Sequence, residues 1–169
     1  MTTHRDSILG ANLLPDTSGN VFWEPYDIKA TNDRWKHGNW IFNDTSTDLV
    51  LSGTYELSMT YVGTSKIYFV WTSTATSGNV KWGFKYRAIT GDNAESLDQT
   101  GEQEAVTVVD AAPGAANRRM EVSIALTAGN FAAGDTVEFE LIRHGSDTGN
   151  DTMAAAAILK DALFEYADA

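Results

Sequence analysis

The chain has 169 residues, enough for one domain with a single core, and its apolar fraction of 43% is high enough for folding. It contains no cysteine, which excludes a disulfide framework, a thiolate metal site and a cysteine nucleophile. The formal charge of −11 disfavours free nucleic acid as a partner, and no apolar run approaches the roughly 20 residues that a membrane-spanning helix needs.

The N-terminal residues differ in pattern from the rest of the chain. Leu9, Leu13 and Leu14 stand among polar residues and glycine, and Pro15 follows them. We expect residues 1–20 to form a short arm in which these leucines contact the domain or a neighbouring subunit. Residues 21–169 are expected to form one β-sandwich domain.

Apolar and polar residues alternate with a period of two in five segments, which predicts strands with one buried face. The clearest is 80–87, where large apolar residues alternate with Lys81, Lys85 and Arg87. The others are 55–61, 67–71, 120–126 and 137–141, and weaker strands are predicted at 21–28, 34–42 and 105–109. Turn-forming residues separate these segments. The pattern predicts an all-β antiparallel sandwich of eight or nine strands.

Residues 153–166 are ambiguous. Ile158, Leu159, Ala162 and Leu163 fit one face of a helix, and the four consecutive alanines before Ile158 favour the same structure. A run of small and apolar residues is also typical of a strand that is buried on both faces. The residues themselves leave both alternatives open.

The usual signatures of catalysis are absent, so we expect a protein that is not an enzyme. The carboxylate pairs Glu102 with Glu104 and Glu138 with Glu140 could suggest a glycosidase. However, Glu138 and Glu140 fall on the solvent face of a predicted strand. The three histidines lie in separate segments, so we expect them to be solvent-facing or hydrogen-bonded, without a metal-binding or catalytic role: His4, His37 and His144.

A calcium ion is the one cofactor that the residues suggest. Asp147, Asn150 and Asp151 supply several hard oxygen ligands within a loop that contains glycine, and Asp44 with Asp48 offers a second candidate. The spacing matches no EF-hand loop, and aspartate and asparagine are common in turns for backbone reasons.

The five tryptophans fall into three sets. Trp71 and Trp82 are in step with the apolar faces of their strands and are expected in the core. Trp40 alternates with Phe42. Trp23 and Trp35 stand in mixed polar surroundings, so these two are the candidates for contact with a ligand or a neighbouring subunit.

Several segments together resemble a known group of proteins. They are residues 40–48, 70–73 with 75–82, 106–113, 133–143 and 151–153. In these segments the chain is similar to small jelly-roll virion structural proteins of tailed bacteriophages. The resemblance implies a jelly-roll fold in which the segment after Met153 is a closing strand. It also implies location in the virion, a homotrimer, and a role as a capsid decoration protein or a head or tail appendage that binds neighbouring capsid or tail subunits.

A second hypothesis shares the fold but differs in function. The domain would be a carbohydrate-binding or host-receptor-binding module on a tail fibre. In that case Trp23 or Trp35 would stack on a host glycan, and the acidic loops would hold calcium.

Overall fold

The computed structural model describes residues 2–10, 12–25, 38–91, 94–99 and 101–169. The strands in this part of the chain are β1 (Thr2–Ser7), β2 (Leu14–Pro15), β3 (Val21–Glu24), β4 (Asn39–Phe42), β5 (Asp48–Glu56), β6 (Tyr61–Thr72), β7 (Asn79–Ile89), β8 (Glu104–Ala111), β9 (Met120–Leu126), β10 (Thr136–His144) and β11 (Ala157–Asp168). One short 3₁₀ helix, Ala128–Asn130, lies between β9 and β10. The prediction of an all-β chain is confirmed. The described residues contain eleven strands against the predicted eight or nine, because the N-terminal residues form β1 and β2. No helix of the described residues is both long and apolar enough to cross a membrane.

The strands form two antiparallel sheets that pack face to face. Sheet 1 has the order β3-β4-β11-β6-β9, and β1 pairs with β11 beyond the end of β4. Sheet 2 has the order β2-β5-β10-β7-β8. Neighbours in both sheets are mostly distant in sequence, so the pairing of the strands is a property of the tertiary structure.

Aromatic side chains from both sheets fill the space between them. The Trp82 ring stacks on Phe69 at a centroid distance of 5.1 Å and meets the edge of Phe42 at 5.4 Å. Trp71 packs edge-on against Trp82 at 6.1 Å, and both indoles are fully buried. The prediction that these two tryptophans belong to the core is confirmed.

The N-terminal residues differ from the expected arm. Strand β1 pairs with β11 in sheet 1, and β2 pairs with β5 in sheet 2. Between the two strands, Ile8 and Leu13 are buried in the core with exposures of 3% and 9%. Strands β1 and β2 are therefore part of the sandwich, and Ile8 and Leu13 belong to its core.

The ambiguous C-terminal segment is a strand, as the resemblance implied. A β-bulge between Leu159 and Asp161 shifts the alternation by one residue. Leu159 and Ala162, three residues apart, are consequently both buried in the core. The shift explains why the sequence shows no clean period of two and imitates a helical face.

The weaker strand predictions are also resolved where the structure describes them. Strands form at β3, β4 and β8, and the parts of the predictions that fall on residues 26–37 lie outside the described residues. The prediction of one strand at 55–61 is wrong, because residues 57–60 form the connection between the end of β5 and the start of β6.

Candidate functional site

The outer face of sheet 2 carries an ordered pattern of polar side chains. Strand β5 contributes the hydroxyls of Ser52 and Thr54, β10 contributes two carboxylates and β7 contributes two cations. The inward residues of these strands form the core, so alternation places the polar residues on the solvent face. The strand register aligns them in two rows across the sheet, Ser52-Glu140-Lys85 and Thr54-Glu138-Arg87.

These two rows form the floor of a depression of about 500 Å³, which we call the outer groove. Asn12 and Leu14 line it on the β2 side, and Gly101 and Glu102 line it on the β8 side. The groove therefore extends from β2 across β5, β10 and β7 to the segment just before β8. At about 4.8 Å between strands, four intervals make it roughly 19 Å long across the strands. It is much narrower along them, because only two rows of side chains form its floor.

Arg87 is held in place at one end of the groove. Its Nε donates a 2.9 Å hydrogen bond to the carbonyl oxygen of Gly101, and its Nη1 donates to Oε1 of Gln99. Gln103 fastens the same segment, because its Oε1 accepts from the backbone N–H of Ala88 at 3.1 Å. These bonds fix the guanidinium and the segment that borders the groove relative to β7.

Lys85 and Glu140 are held together less tightly. Nζ of Lys85 lies 4.0 Å from Oε2 of Glu140, beyond hydrogen-bond distance, and the two side chains are 40% and 44% exposed. Among the described residues, the side chains of Ser52, Thr54 and Glu138 make no hydrogen bond or ion pair. The centre of the groove thus presents donors and acceptors that remain available to a ligand.

Leu14 supplies an apolar surface at the β2 side. It pairs with Ser52, which puts it in the row of Glu140 and Lys85, and it is 70% exposed. The other two leucines proposed as contacts do not reach the groove. Leu13 is buried in the core, and Leu9 packs against the core at its margin.

Trp23 lies on the edge strand of sheet 1 and does not contribute to the outer groove. Its indole rests directly on the backbone of Gly38, where a Cβ would stand only 1.8 Å from Cζ2 of the ring. Trp40 supports it at a centroid distance of 5.6 Å, and Trp23 is 51% exposed. Its role as a ligand contact stays a prediction, and Trp35 lies outside the described residues.

The residues considered for calcium are engaged by protein groups. Both carboxylate oxygens of Asp151 bind Arg143, and Asp147 accepts a 2.7 Å hydrogen bond from Lys81 and two from Asn150. The hydrogen bond from Lys81, and then those from Asn150, lower the pKa of Asp147.

The two carboxylates of the second calcium candidate also contact protein groups. Asp44 lies 3.5 Å from Nη2 of Arg143, whereas Asp48 binds His144 and Ser146. Burial raises the pKa of Asp48, but the hydrogen bonds from Ser146 and His144 outweigh it, and the pKa is lowered. Among the described residues, no group of three or more histidine, aspartate or glutamate side chains is arranged to hold a metal ion. The expectation that the protein has no cofactor, with calcium as the one alternative, stays a prediction.

Histidines take part in local contacts. Nδ1 of His144 lies 2.8 Å from Asp48, and the ring covers Gly83, where a Cβ would stand 2.3 Å from Nε2. His4 stacks on Tyr166 at 5.6 Å and pairs with Asp168. His37 lies outside the described residues.

The sequence did not indicate the groove, although alternation placed Lys85, Glu138 and Glu140 on solvent faces. The available signal was that strands β7 and β10 carry side chains of opposite charge on those faces. That signal has meaning only when the two strands are known to be neighbours.

Known proteins resemble this chain in its fold but not in its sequence. No protein-family model matches the sequence, and no curated protein matches it. Several solved structures do. A family 35 carbohydrate-binding module from Clostridium thermocellum aligns with a TM-score of 0.57 and 10% identity over 99% of both chains. A family 35 module from Paenibacillus barcinonensis aligns at 0.52 with 13% identity, covering 97% of this chain and 98% of that one. The C-terminal family 6 module of LamC from Zobellia galactanivorans aligns at 0.51 with 14% identity, covering 98% and 100%.

At these identities the likeness shows the fold alone. The chain has the jelly-roll sandwich of carbohydrate-binding modules, which confirms the predicted fold class.

Proposed function

We propose that this protein is a non-catalytic carbohydrate-binding module whose ligand lies in the outer groove. The observation that carries the proposal is the arrangement of Lys85 and Glu140. They stand 4.0 Å apart in a depression of about 500 Å³ that also presents two hydroxyls. Sugars are recognised by polar side chains that donate and accept hydrogen bonds at fixed positions in a cleft. The carbohydrate-binding modules that share the fold support this function over the virion role that the resemblance implied.

The two carboxylates that β10 contributes to the groove are poorly arranged for glycoside hydrolysis. A glycosidase needs two carboxyl groups that flank the scissile bond. Glu138 and Glu140 stand two residues apart on one strand and point the same way, so both approach a ligand from the same side. The groove also lies open on a sheet surface. Both features favour binding without turnover.

The virion role remains a prediction that no structural observation tests. The same holds for the homotrimer and for capsid or tail partners.

The proposal can be tested with the full chain on a glycan array, followed by calorimetric titration of each glycan that binds. Lys85→Ala and Glu140→Ala should each weaken binding at least about tenfold, because each removes a hydrogen bond to a charged group. Lys66→Ala is a matched control. Lys66 is similarly exposed, at 46%, but stands on the outer face of sheet 1 beside Glu165. The control should bind within about twofold of the unaltered protein.

Two results would overturn the proposal. One is the absence of saturable binding to any glycan. The other is binding by both groove variants that equals that of the unaltered protein.

A further inference from the structure

We infer that the outer groove selects uncharged glycan chains, and that it does so through pairs of unlike charges that recognise hydroxyl groups. The inference rests on the proposed function and adds the class of ligand. It follows from the order of charges across sheet 2, from the gap between Lys85 and Glu140, and from the exposed Leu14 at the end of their row.

The order of charges cancels attraction for a charged ligand. Each of the two cations of β7 that line the groove has a carboxylate of β10 as its neighbour in the register, Lys85 beside Glu140 and Arg87 beside Glu138. An anionic sugar placed against Lys85 is therefore also placed against Glu140. A cationic sugar placed against either glutamate meets the neighbouring cation. Neither kind of ligand gains a net attraction from the floor.

The surroundings add a bias against acidic ligands. Glu102 is a third carboxylate at the groove, which leaves three acidic groups against two basic ones. The whole chain carries a formal charge of −11. Uronic acids and sulfated sugars therefore approach a surface of their own sign.

A hydroxyl group can bind to Lys85 and Glu140 at the same time, whereas a charged group cannot. Nζ of Lys85 can only donate, and the carboxylate of Glu140 can only accept. An oxygen atom above the pair can stand about 2.8 Å from both groups, since their own separation is 4.0 Å. A hydroxyl there accepts from Lys85 and donates to Glu140. A carboxylate or sulfate oxygen cannot donate, and an ammonium group cannot accept.

The rest of the row extends the same recognition along a chain. Next to Glu140 stands Ser52, a neutral hydroxyl, and beyond it stands the exposed side chain of Leu14. Polar contacts at one end and an apolar contact at the other suit a sugar chain, whose rings carry hydroxyl edges and C–H faces. The length of roughly 19 Å accommodates about four sugar units of an extended chain.

The test compares neutral oligosaccharides with charged derivatives of the same chains. The probes are gluco-, xylo-, manno- and galacto-oligosaccharides, their carboxylated or sulfated counterparts, and deacetylated chitin oligosaccharides as the amine-bearing class. Affinities are measured from about 0.02 to 0.5 M NaCl, a range over which exposed charges become strongly screened. We expect a neutral chain to bind with an affinity that changes less than about twofold over this range and grows up to about four units.

Variants distinguish recognition of a hydroxyl from a structural role of the pair. Lys85→Glu and Glu140→Lys should each abolish binding of the neutral chain. The double variant with both changes restores one donor and one acceptor, and it should recover part of the affinity. All three variants should unfold at similar urea concentrations, because both positions are solvent-exposed.

Three outcomes would overturn all or part of the inference. Preferential binding of an acidic or amine-bearing chain, with affinity lost at high salt, would overturn the inference and leave the proposed function standing. A double variant that stays inactive would overturn the role of the pair. Failure of every glycan to bind would overturn both the inference and the proposed function.

Discussion

The guanidinium of Arg143 forms a bidentate ion pair with the carboxylate of Asp151 inside the sandwich. Nε lies 3.1 Å from Oδ2 and Nη2 lies 2.8 Å from Oδ1. The side chains are 0% and 2% exposed. The same guanidinium donates to four backbone carbonyls, two at the end of β4 and two in the segment before β11: Phe42, Asn43, Met153 and Ala155. One buried cation thus joins three separate segments of the chain.

Arg143→Met should lower the free energy of unfolding by about 3–5 kcal/mol, because it leaves the buried carboxylate of Asp151 without its partner. Arg143→Lys should recover little of the lost free energy of unfolding, since an ammonium group cannot form the planar bidentate pair. Urea unfolding measures both. Arg119→Met is the control, because Arg119 is 63% exposed and its pair with Glu121 should contribute under about 1 kcal/mol. Equal losses for Arg143→Met and Arg119→Met would contradict the prediction.

Trp82→Ala should cost about 3–5 kcal/mol by opening a cavity between Phe69 and Phe42. Trp82→Phe should cost less, because it keeps much of the ring. It also removes a buried indole N–H that has no hydrogen-bond partner among the described residues. Lys85→Ala, on the opposite face of the same strand, should change stability by under about 0.5 kcal/mol. Chemical denaturation of the three variants tests this order, and a costly Lys85→Ala would show that the groove is part of the folding core.

Leu13→Ala and Leu14→Ala should have opposite consequences, although the residues are neighbours. Leu13 is buried, and its Cδ2 would stand 2.5 Å from a Cβ on Gly53. Its truncation should cost about 2–4 kcal/mol and leave any glycan binding by the remaining folded protein intact. Leu14→Ala should leave stability nearly unchanged and weaken binding. Paired melting and calorimetric titrations separate the two effects, and a stable Leu13→Ala would refute the assignment of the N-terminal segment to the sandwich.

Stability should fall as the pH rises above about 10, the ordinary pKa of tyrosine. Burial, and then a hydrogen bond to Asp6, raises the pKa of Tyr55, and burial with a hydrogen bond to Glu104 raises that of Tyr86. Above pH 10 the unfolded chain releases these protons while the folded chain keeps them, so unfolding becomes more favourable. Tyr55→Phe and Tyr86→Phe should each flatten the decline of the urea midpoint. A midpoint that rises through this range would have the wrong sign.

Glu104 should produce the opposite dependence at acid pH. Burial raises the pKa of Glu104, but hydrogen bonds from Tyr86 and Thr127 lower it by more than burial raises it. The pKa in the folded protein therefore lies below the ordinary value. The contribution to stability is complete above the unfolded pKa of about 4.3 and is lost as the pH falls through the folded pKa. Glu104→Gln should therefore be less stable than the unaltered protein at pH 6, with a smaller difference at pH 3. An equal difference at both pH values would contradict the role of this carboxylate.

Much of the fold follows from local pattern. Alternation identified β6, β7, β9 and β10 and the inward faces of Trp71 and Trp82, because a strand with one buried face must repeat every two residues. It missed most of β5, since the predicted strand at 55–61 overlaps only its last two residues. The same rule placed Lys85 and Glu140 in solvent. It failed where local pattern is disturbed, as at the bulge after Leu159, and where strands are short, as in the N-terminal segment.

The sequence by itself determined which side chains point outward on β6, β7, β9 and β10, since that depends only on the geometry of the backbone. It could not determine which strands are neighbours. Strands β5, β10 and β7 lie side by side although β6, β8 and β9 come between them along the chain. Only that non-local pairing brings Ser52, Glu140 and Lys85 into one row. The groove is therefore a property of the tertiary structure, because it requires hydrogen bonds between segments that are far apart in the sequence.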